Sequence, residues 1–185
     1  MLAWGVALCI GTCTTMSSSE SGTSAYSEQA LFDEVTGVAL NERAERIVAE
    51  ATGGGHEQDS ACAAEAATLA DVPVVQIAEG KWKYVQIELT TRSPAATLRI
   101  VRSYSGTRFH AEAFEKAMAE LRPRMDVKGR VVGGGRIVLR SATRTIDVYG
   151  YSKTFGRSPG CNEHSADLIR AAYDGFAVTW SDKGY

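Results

Sequence analysis

The sequence predicts an α/β fold of the α+β type: a single compact domain whose mixed β-sheet of about six strands carries a helix on each face. Between residues 81 and 104, two segments alternate apolar and polar residues, which is typical of half-buried strands. From there to residue 180, further strand patterns and two helical patterns complete the order ββαββαβ, which indicates helices packed on a sheet. The 185 residues are 44% hydrophobic and 23% charged, as in ordinary globular domains.

The first two strands share one pattern. The stretch KWKYVQIELT (81–90) places on one face Lys83, Val85, Ile87 and Leu89. In TLRIVRSY (97–104), the residues that share one face of the strand are Leu98, Ile100, Arg102 and Tyr104. Successive side chains of a strand point to opposite faces, so each segment has one apolar face with a cation at its end.

Helices and further strands follow. We expect Thr107 to cap a helix that runs to Leu121 and ends before Pro123. The stretch GGGRIVLRSATRTIDVYGYS then predicts two strands joined by a polar turn at 141–144. Ser165 is the expected cap of a short helix, ADLIRAAY, and FAVTW predicts the last strand.

We expect residues 1–71 to form a largely disordered N-terminal extension. The folded domain is expected to comprise residues 72–185. Ser and Thr dominate residues 14–30, whereas apolar spacing favours a helix over 28–51. The apolar start MLAWGVALCIGTC precedes any Lys or Arg and is too short to span a bilayer. A cleaved signal and a start at Met16 both stay open, and we favour a non-targeting extension on a cytoplasmic protein.

Composition and charge exclude several classes of partner and cofactor. A net charge of −2 and a pI near 5.9 favour neither nucleic acid nor a membrane surface as partner. The four cysteines form no C-x-x-C pair and no zinc spacing with histidine, so we expect unpaired thiols in a reducing compartment. We expect no metal, no cofactor, and a monomer.

His110 is the first candidate for chemistry. With Thr107 as the cap, His110 would be the third residue of the helix, where free N–H groups and the positive end of the helix dipole lower a histidine pKa and attract anions. A neutral imidazole can serve as base or nucleophile. The alternative is a packed core histidine, because an apolar stripe at helical spacing contains His110, Phe114, Ala117 and Leu121.

A glycine- and hydroxyl-rich loop and three cations are the other candidates. In VYGYSKTFGRSPG (148–160), a strand runs into a loop that could turn several N–H groups toward one anion, or be a plain surface turn. It does not match a P-loop, and the stretch GGGR (133–136) is not a dinucleotide fingerprint because it precedes a strand instead of following one. The charged heads of Lys83, Arg102 and Arg136 could converge on an anion, or simply reach water from the edge of the core.

Six stretches in order resemble the phosphohistidine phosphatase family, also called the janus/ocnus family: KWKYVQIEL, RIVRSY, RFHAEAFEKAM, GGGRI, VYGYSKTFG and VTWSDKGY. The resemblance covers about 105 residues, Glu79 to Tyr185. It implies one compact domain with a helix on each side of a mixed sheet. It also implies metal-independent removal of phosphate from phosphohistidine in proteins, with phospholysine as a plausible second substrate.

The resemblance also implies roles for particular residues. The family's essential histidine corresponds to His110, and its phosphate-binding residues correspond to Lys83, Arg102, Arg136, Tyr151, Ser152, Lys153 and Thr154. Two features depart from the family pattern. Phe109 stands where a tyrosine commonly precedes the histidine, and the loop 155–161 is longer than in animal members.

These inferences predict a protein histidine phosphatase whose substrates are phosphohistidine-containing proteins. A P–N bond is already labile when its leaving imidazole is protonated. The protein therefore needs mainly to position the substrate and to stabilise the developing charge. His110 would either activate water or accept the phosphoryl group itself, and the residues do not choose between the two routes. The alternative is a phosphopeptide-binding or regulatory module that keeps the anion site without turnover.

Overall fold

The computed structural model describes residues 31–53 and 68–184. Its strands are β1 (Val75–Gln76), β2 (Gly80–Arg92), β3 (Ala95–Ser103), β4 (Val127–Arg140), β5 (Thr145–Tyr149) and β6 (Ala177–Ser181). Its helices are α1 (Glu42–Ala51), α2 (His110–Leu121) and α3 (Cys161–Ala172). No helix in these two ranges is both long and apolar enough to cross a membrane.

All six strands form one mixed sheet in the order β1-β3-β2-β4-β5-β6. The four central strands pair antiparallel, and the edge strands β1 and β6 pair parallel with β3 and β5. The predicted fold class is thereby confirmed. The sequence pattern missed β1, because two residues are too few to show a period.

The alternation of side chains along the strands divides the core in two. On one face, α2 packs on Val85 and Ile87 of β2. On the other, α3 packs on Tyr84 of the same strand and Val101 of β3. Neighbouring residues of one strand therefore serve different helices, as the period of two requires.

Helix α2 begins later than predicted. Phe109, not Thr107, is its N-cap, because the carboxylate of Glu112 accepts hydrogen bonds from the N–H groups of Arg108 (2.7 Å) and Phe109 (3.2 Å). The hydroxyl of Thr107 donates instead to the carbonyl of Tyr104 at 2.7 Å. His110 is consequently the first residue of the helix and not the third.

Helix α3 begins earlier than predicted. Gly160, with φ +77°, is its N-cap, and the helix starts at Cys161. The prediction of Ser165 as the cap was wrong, since Ser165 lies inside the helix, fully buried, and its hydroxyl accepts a hydrogen bond from Gln86 at 3.1 Å. Within the described ranges, Cys161 is a free, buried thiol.

The N-terminal part contributes one helix and a short hairpin. Where the sequence predicts a helix over 28–51, the structure has α1, capped by the side chain of Asn41, which accepts from the N–H of Ala44 at 3.0 Å. Residues 31–40 precede it and form what we call the N-terminal hairpin, in which Phe32 pairs with Ala39. Phe32 is fully buried and joins α1 in the core beneath α2. The parts of the predicted N-terminal extension at residues 1–30 and 54–67 lie outside the described residues.

Candidate functional site

His110 is held by the sheet beneath it. Its side chain is 3% exposed, and its Nε2 lies 2.9 Å from the carbonyl oxygen of Gly135 on β4. A carbonyl oxygen can only accept a hydrogen bond, so we assign the proton to Nε2. The lone pair of the imidazole is therefore at Nδ1, which is the atom available as base or nucleophile.

Two cations act on this imidazole. Lys83 of β2 lies directly opposite Arg136 of β4 in the antiparallel register. The pKa of His110 is lowered to about 3, first by burial, then by the positive charge of Lys83, and more weakly by that of Arg136. The hydrogen bond to Gly135 acts in the opposite direction. His110 is thus neutral throughout the physiological pH range.

The three consecutive glycines of β4 make this packing feasible. A Cβ added at Gly134 would lie 2.6 Å from the carbonyl oxygen of Tyr84 and 3.1 Å from Cδ2 of His110. At Gly135 it would lie 2.5 Å from the carbonyl oxygen of Tyr149, and at Gly133 2.8 Å from Cβ of Cys161. The glycine run therefore lets β4 approach the histidine on one face and α3 on the other.

Arg102 does not join this group. It is 1% exposed, and its guanidinium donates to the carbonyls of Val101 (2.9 Å), Val74 (3.3 Å) and Pro73 (2.7 Å). Pro73 and Val74 lead into β1, which pairs with β3 on the side away from β2 and β4. Burial lowers the pKa of Arg102. Its observed contacts tie the edge strand to the sheet.

The loop after β5 forms a tight turn. Gly150 leaves the strand with φ +77°, and Ser152 pairs with Gly156. The hydroxyl of Ser152, fully buried, accepts a hydrogen bond from the N–H of Phe155 at 3.1 Å. Its observed contact therefore shapes the loop. The guanidinium of Arg157 lies over the ring of Tyr151, with its Cζ 4.1 Å from the ring centroid.

The side chains of Lys153 and Thr154 contact the N-terminal hairpin. Lys153 Nζ donates to the carbonyl of Val35 at 2.7 Å, and Thr154 Oγ1 donates to the carbonyl of Gly37 at 3.2 Å. The hairpin also reaches the residues just before His110, through an ion pair between Glu34 and Arg108. The rings of Phe32 and Phe109 lie 5.4 Å apart. The hairpin thus joins the loop to the start of α2.

Asn162 is a site residue that the sequence pattern did not indicate. Its buried amide donates to the carbonyls of Gly150 (2.8 Å) and Ser181 (3.0 Å), and its oxygen accepts from the hydroxyl of Tyr84 at 2.5 Å. These bonds fix the start of the loop to α3 and to the end of β6. Burial also raises the pKa of Tyr84 well above its usual value. No spacing or motif in the chain marks Asn162 for this role.

Among residues 31–53 and 68–184, no three His, Cys, Asp or Glu side chains come together in a way that could hold a metal ion. The charged groups that act on the His110 imidazole in the described residues are Lys83 and Arg136.

The chain is similar in sequence to a known family and to several known proteins. The model of the Janus/Ocnus family matches residues 69–177. The 14 kDa phosphohistidine phosphatase of Sus scrofa is 38% identical over 128 residues, 66% of this chain and 99% of that protein. The protein of that name from Homo sapiens is 35% identical over 125 residues, covering 64% and 98%. Sex-regulated protein janus-A of Drosophila melanogaster is 30% identical over 118 residues, covering 63% and 84%. The chain belongs to the Janus/Ocnus family.

Proposed function

We propose that this protein is a protein histidine phosphatase, which hydrolyses the P–N bond of phosphohistidine in proteins without a metal ion. The observation that carries the proposal is the buried neutral imidazole of His110, with its lone pair at Nδ1 and the cations Lys83 and Arg136 nearby. The names of the porcine and human relatives support it. Phospholysine is a second substrate of the same chemical class. We further propose that the protein acts as a monomer in the cytoplasm.

Two routes are open to His110. In both routes the substrate imidazole is protonated on its other nitrogen, so it leaves as neutral imidazole with the electron pair of the broken P–N bond. As a base, Nδ1 takes a proton from water while the water oxygen bonds to phosphorus and the P–N bond breaks. As a nucleophile, Nδ1 itself bonds to phosphorus as the P–N bond breaks; a water oxygen then bonds to phosphorus, His110 leaves with the electron pair of the second P–N bond, and the proton of the water passes to solvent. In either route His110 becomes cationic, and the Gly135 carbonyl that accepts from Nε2 stabilises that charge.

The phosphoryl oxygens would bind the cations and the loop. Lys83 and Arg136 stand opposite each other on β2 and β4 and supply positive charge. We propose that N–H groups of Tyr151–Thr154 supply further donors, held in place by the hydrogen bond between Phe155 and Ser152. We assign Arg102 a supporting role at β1 instead, because its guanidinium is buried against backbone carbonyls.

The test compares the full chain with two histidine variants. A phosphohistidine peptide is incubated in EDTA, and phosphate release is measured for wild type, His110→Ala and His164→Gln. His164 is the matched control because it lies on α3, where its Nδ1 contacts Gln86 at 2.8 Å. We expect release by wild type and His164→Gln and none by His110→Ala. A folded wild type that binds the peptide without releasing phosphate would instead be a phosphopeptide-binding module.

A further inference from the structure

The N-terminal hairpin offers the loop the same kind of group that a phosphoryl substrate would offer. The carbonyl oxygens of Val35 and Gly37 accept from Lys153 Nζ and Thr154 Oγ1. Phosphoryl oxygens are also acceptors. The single hydrogen of the Thr154 hydroxyl cannot serve a carbonyl and a phosphoryl oxygen together. Hairpin and substrate therefore compete for this donor.

The backbone of the hairpin also covers an amide of the loop. Gly37 adopts φ +75°, and a Cβ added there would lie 3.0 Å from the N atom of Thr154 and 3.1 Å from the carbonyl carbon of Lys153. A phosphoryl oxygen bonded to an amide lies at a similar distance from the nitrogen. Gly37 thus lies next to the peptide group to which the proposed function assigns phosphoryl oxygens.

The two ends of the hairpin are held with unequal strength. At the base, Phe32 is fully buried and packs in the core with α1. At the tip, residues 33–38, the contacts to the loop and to Arg108 are polar. The bond from Lys153 to Val35 is exposed, the bond from Thr154 to the buried Gly37 is part-buried, and the side chains of Arg108 and Glu34 are 71% and 64% exposed. Exposed ion pairs contribute little to stability. The tip can therefore withdraw while the base stays packed.

We propose that the tip of the N-terminal hairpin, residues 33–38, is an internal competitor for the phosphate loop, and that it must withdraw before a phosphorylated substrate binds there. The inference rests on the proposed function, since it takes the loop as the phosphate site. The family match begins at residue 69, so the hairpin lies outside the matched region. It adds an autoinhibitory contact to the family domain.

The first test substitutes the glycine that touches the loop. In Gly37→Ala the new methyl group meets the Lys153–Thr154 backbone and displaces the tip. Gly53→Ala is the matched control, because Gly53 also has positive φ (+98°) but its Cβ would meet only Arg130 Cδ, at 3.7 Å. The dissociation constant of orthophosphate is measured by calorimetry on each full chain. If the tip covers the loop nine-tenths of the time, Gly37→Ala tightens phosphate binding about tenfold, whereas Gly53→Ala leaves it unchanged.

A second variant loosens the tip without touching the loop. The exposed carboxylate of Asp33 accepts from the N–H of Val35 (3.0 Å) and from the N–H (2.6 Å) and hydroxyl (2.7 Å) of Thr36. Asp33→Ala removes these bonds from a surface position, so the fold is retained. We expect tighter phosphate binding here too, together with a lower KM for the phosphohistidine peptide.

The outcomes separate this inference from the proposed function. Phosphate binding that is unchanged or weaker in folded Gly37→Ala and Asp33→Ala would overturn the competitor and make the hairpin a fixed wall. Absence of phosphate binding in every variant would overturn it as well. Tighter phosphate binding in both variants, with no phosphohistidine hydrolysis by any of them, would retain the competitor and refute the phosphatase.

Discussion

The Nε2 atom of His110 and the carbonyl oxygen of Gly135 lie 2.9 Å apart, across the packing of helix α2 on strand β4. This contact joins the first residue of a helix to a glycine at the centre of the sheet. It sets the tautomer of the imidazole and with it the atom that can react. The run of glycines on β4 permits it, since a Cβ at Gly134 would meet the His110 ring.

The tautomer can be measured directly. We expect the ¹⁵N NMR shifts of the His110 ring at pH 7 to show a protonated Nε2 and an unprotonated Nδ1. We expect the same pattern at pH 5, because the pKa of His110 is lowered to about 3. A cationic ring at pH 5, or a proton on Nδ1, would contradict the assignment.

Stability should depend on pH through His110. Its pKa is near 6.5 in the unfolded chain and about 3 when folded, so between these values the unfolded state binds more protons. The contribution of the neutral histidine is fully present above pH 6.5 and is lost as the pH falls toward 3, by up to about 1.4 kcal/mol per pH unit. Urea denaturation of wild type and His110→Gln at pH 7 and 4.5 should show this loss in wild type alone. If the difference in the free energy of unfolding between the two proteins were the same at both pH values, the proposed contribution of His110 would be refuted.

Two arginines should respond in opposite ways to substitution. Arg136→Gln removes a charge beside His110, and we expect it to weaken orthophosphate binding about tenfold, or about 1.4 kcal/mol, with little loss of stability. Arg102→Gln leaves buried carbonyls at β1 without their charged donor, and we expect a loss of about 2–3 kcal/mol in the free energy of unfolding with little change in phosphate affinity. Calorimetry and urea denaturation measure the two quantities. The reverse pattern would return Arg102 to the phosphate site.

The glycine beside the histidine should tolerate no side chain. In Gly134→Ala the methyl group would meet the carbonyl oxygen of Tyr84, so the strand must shift and His110 with it. We expect about 1–3 kcal/mol of destabilisation and a loss of phosphohistidine hydrolysis.

Gly129→Ala on the same strand is the control, because its methyl group would meet only the side chains of Met118 and Ile87. The flexible Met118 can adjust, so we expect a smaller effect on stability and retained activity. Equal activities in the two variants would show that the site does not need the close approach at Gly134.

The longer elements were predictable because periodicity is a local property. Alternation along 81–90 indicated β2 and its two faces, and the helical stripe from His110 to Leu121 indicated α2. The first residues of the helices were not predictable in this way. Thr107 and Ser165 are residue types that often cap helices, but here their hydroxyls bond to Tyr104 and Gln86 instead. Which donor satisfies a helix end depends on neighbours that spacing does not specify.

The fold class, the order of the strands and helices from residue 80 onward, and the presence of a helix that contains His110 follow from the sequence alone. Which cations accompany that histidine depends on the tertiary structure. Lys83 and Arg136 are 53 residues apart and meet through the β2–β4 register, whereas Arg102, of similar sequence context, turns toward β1. The contact between the hairpin before α1 and the loop after β5 likewise depends on the tertiary structure. Register and long-range packing bring distant residues together, and local periodicity carries no information about either.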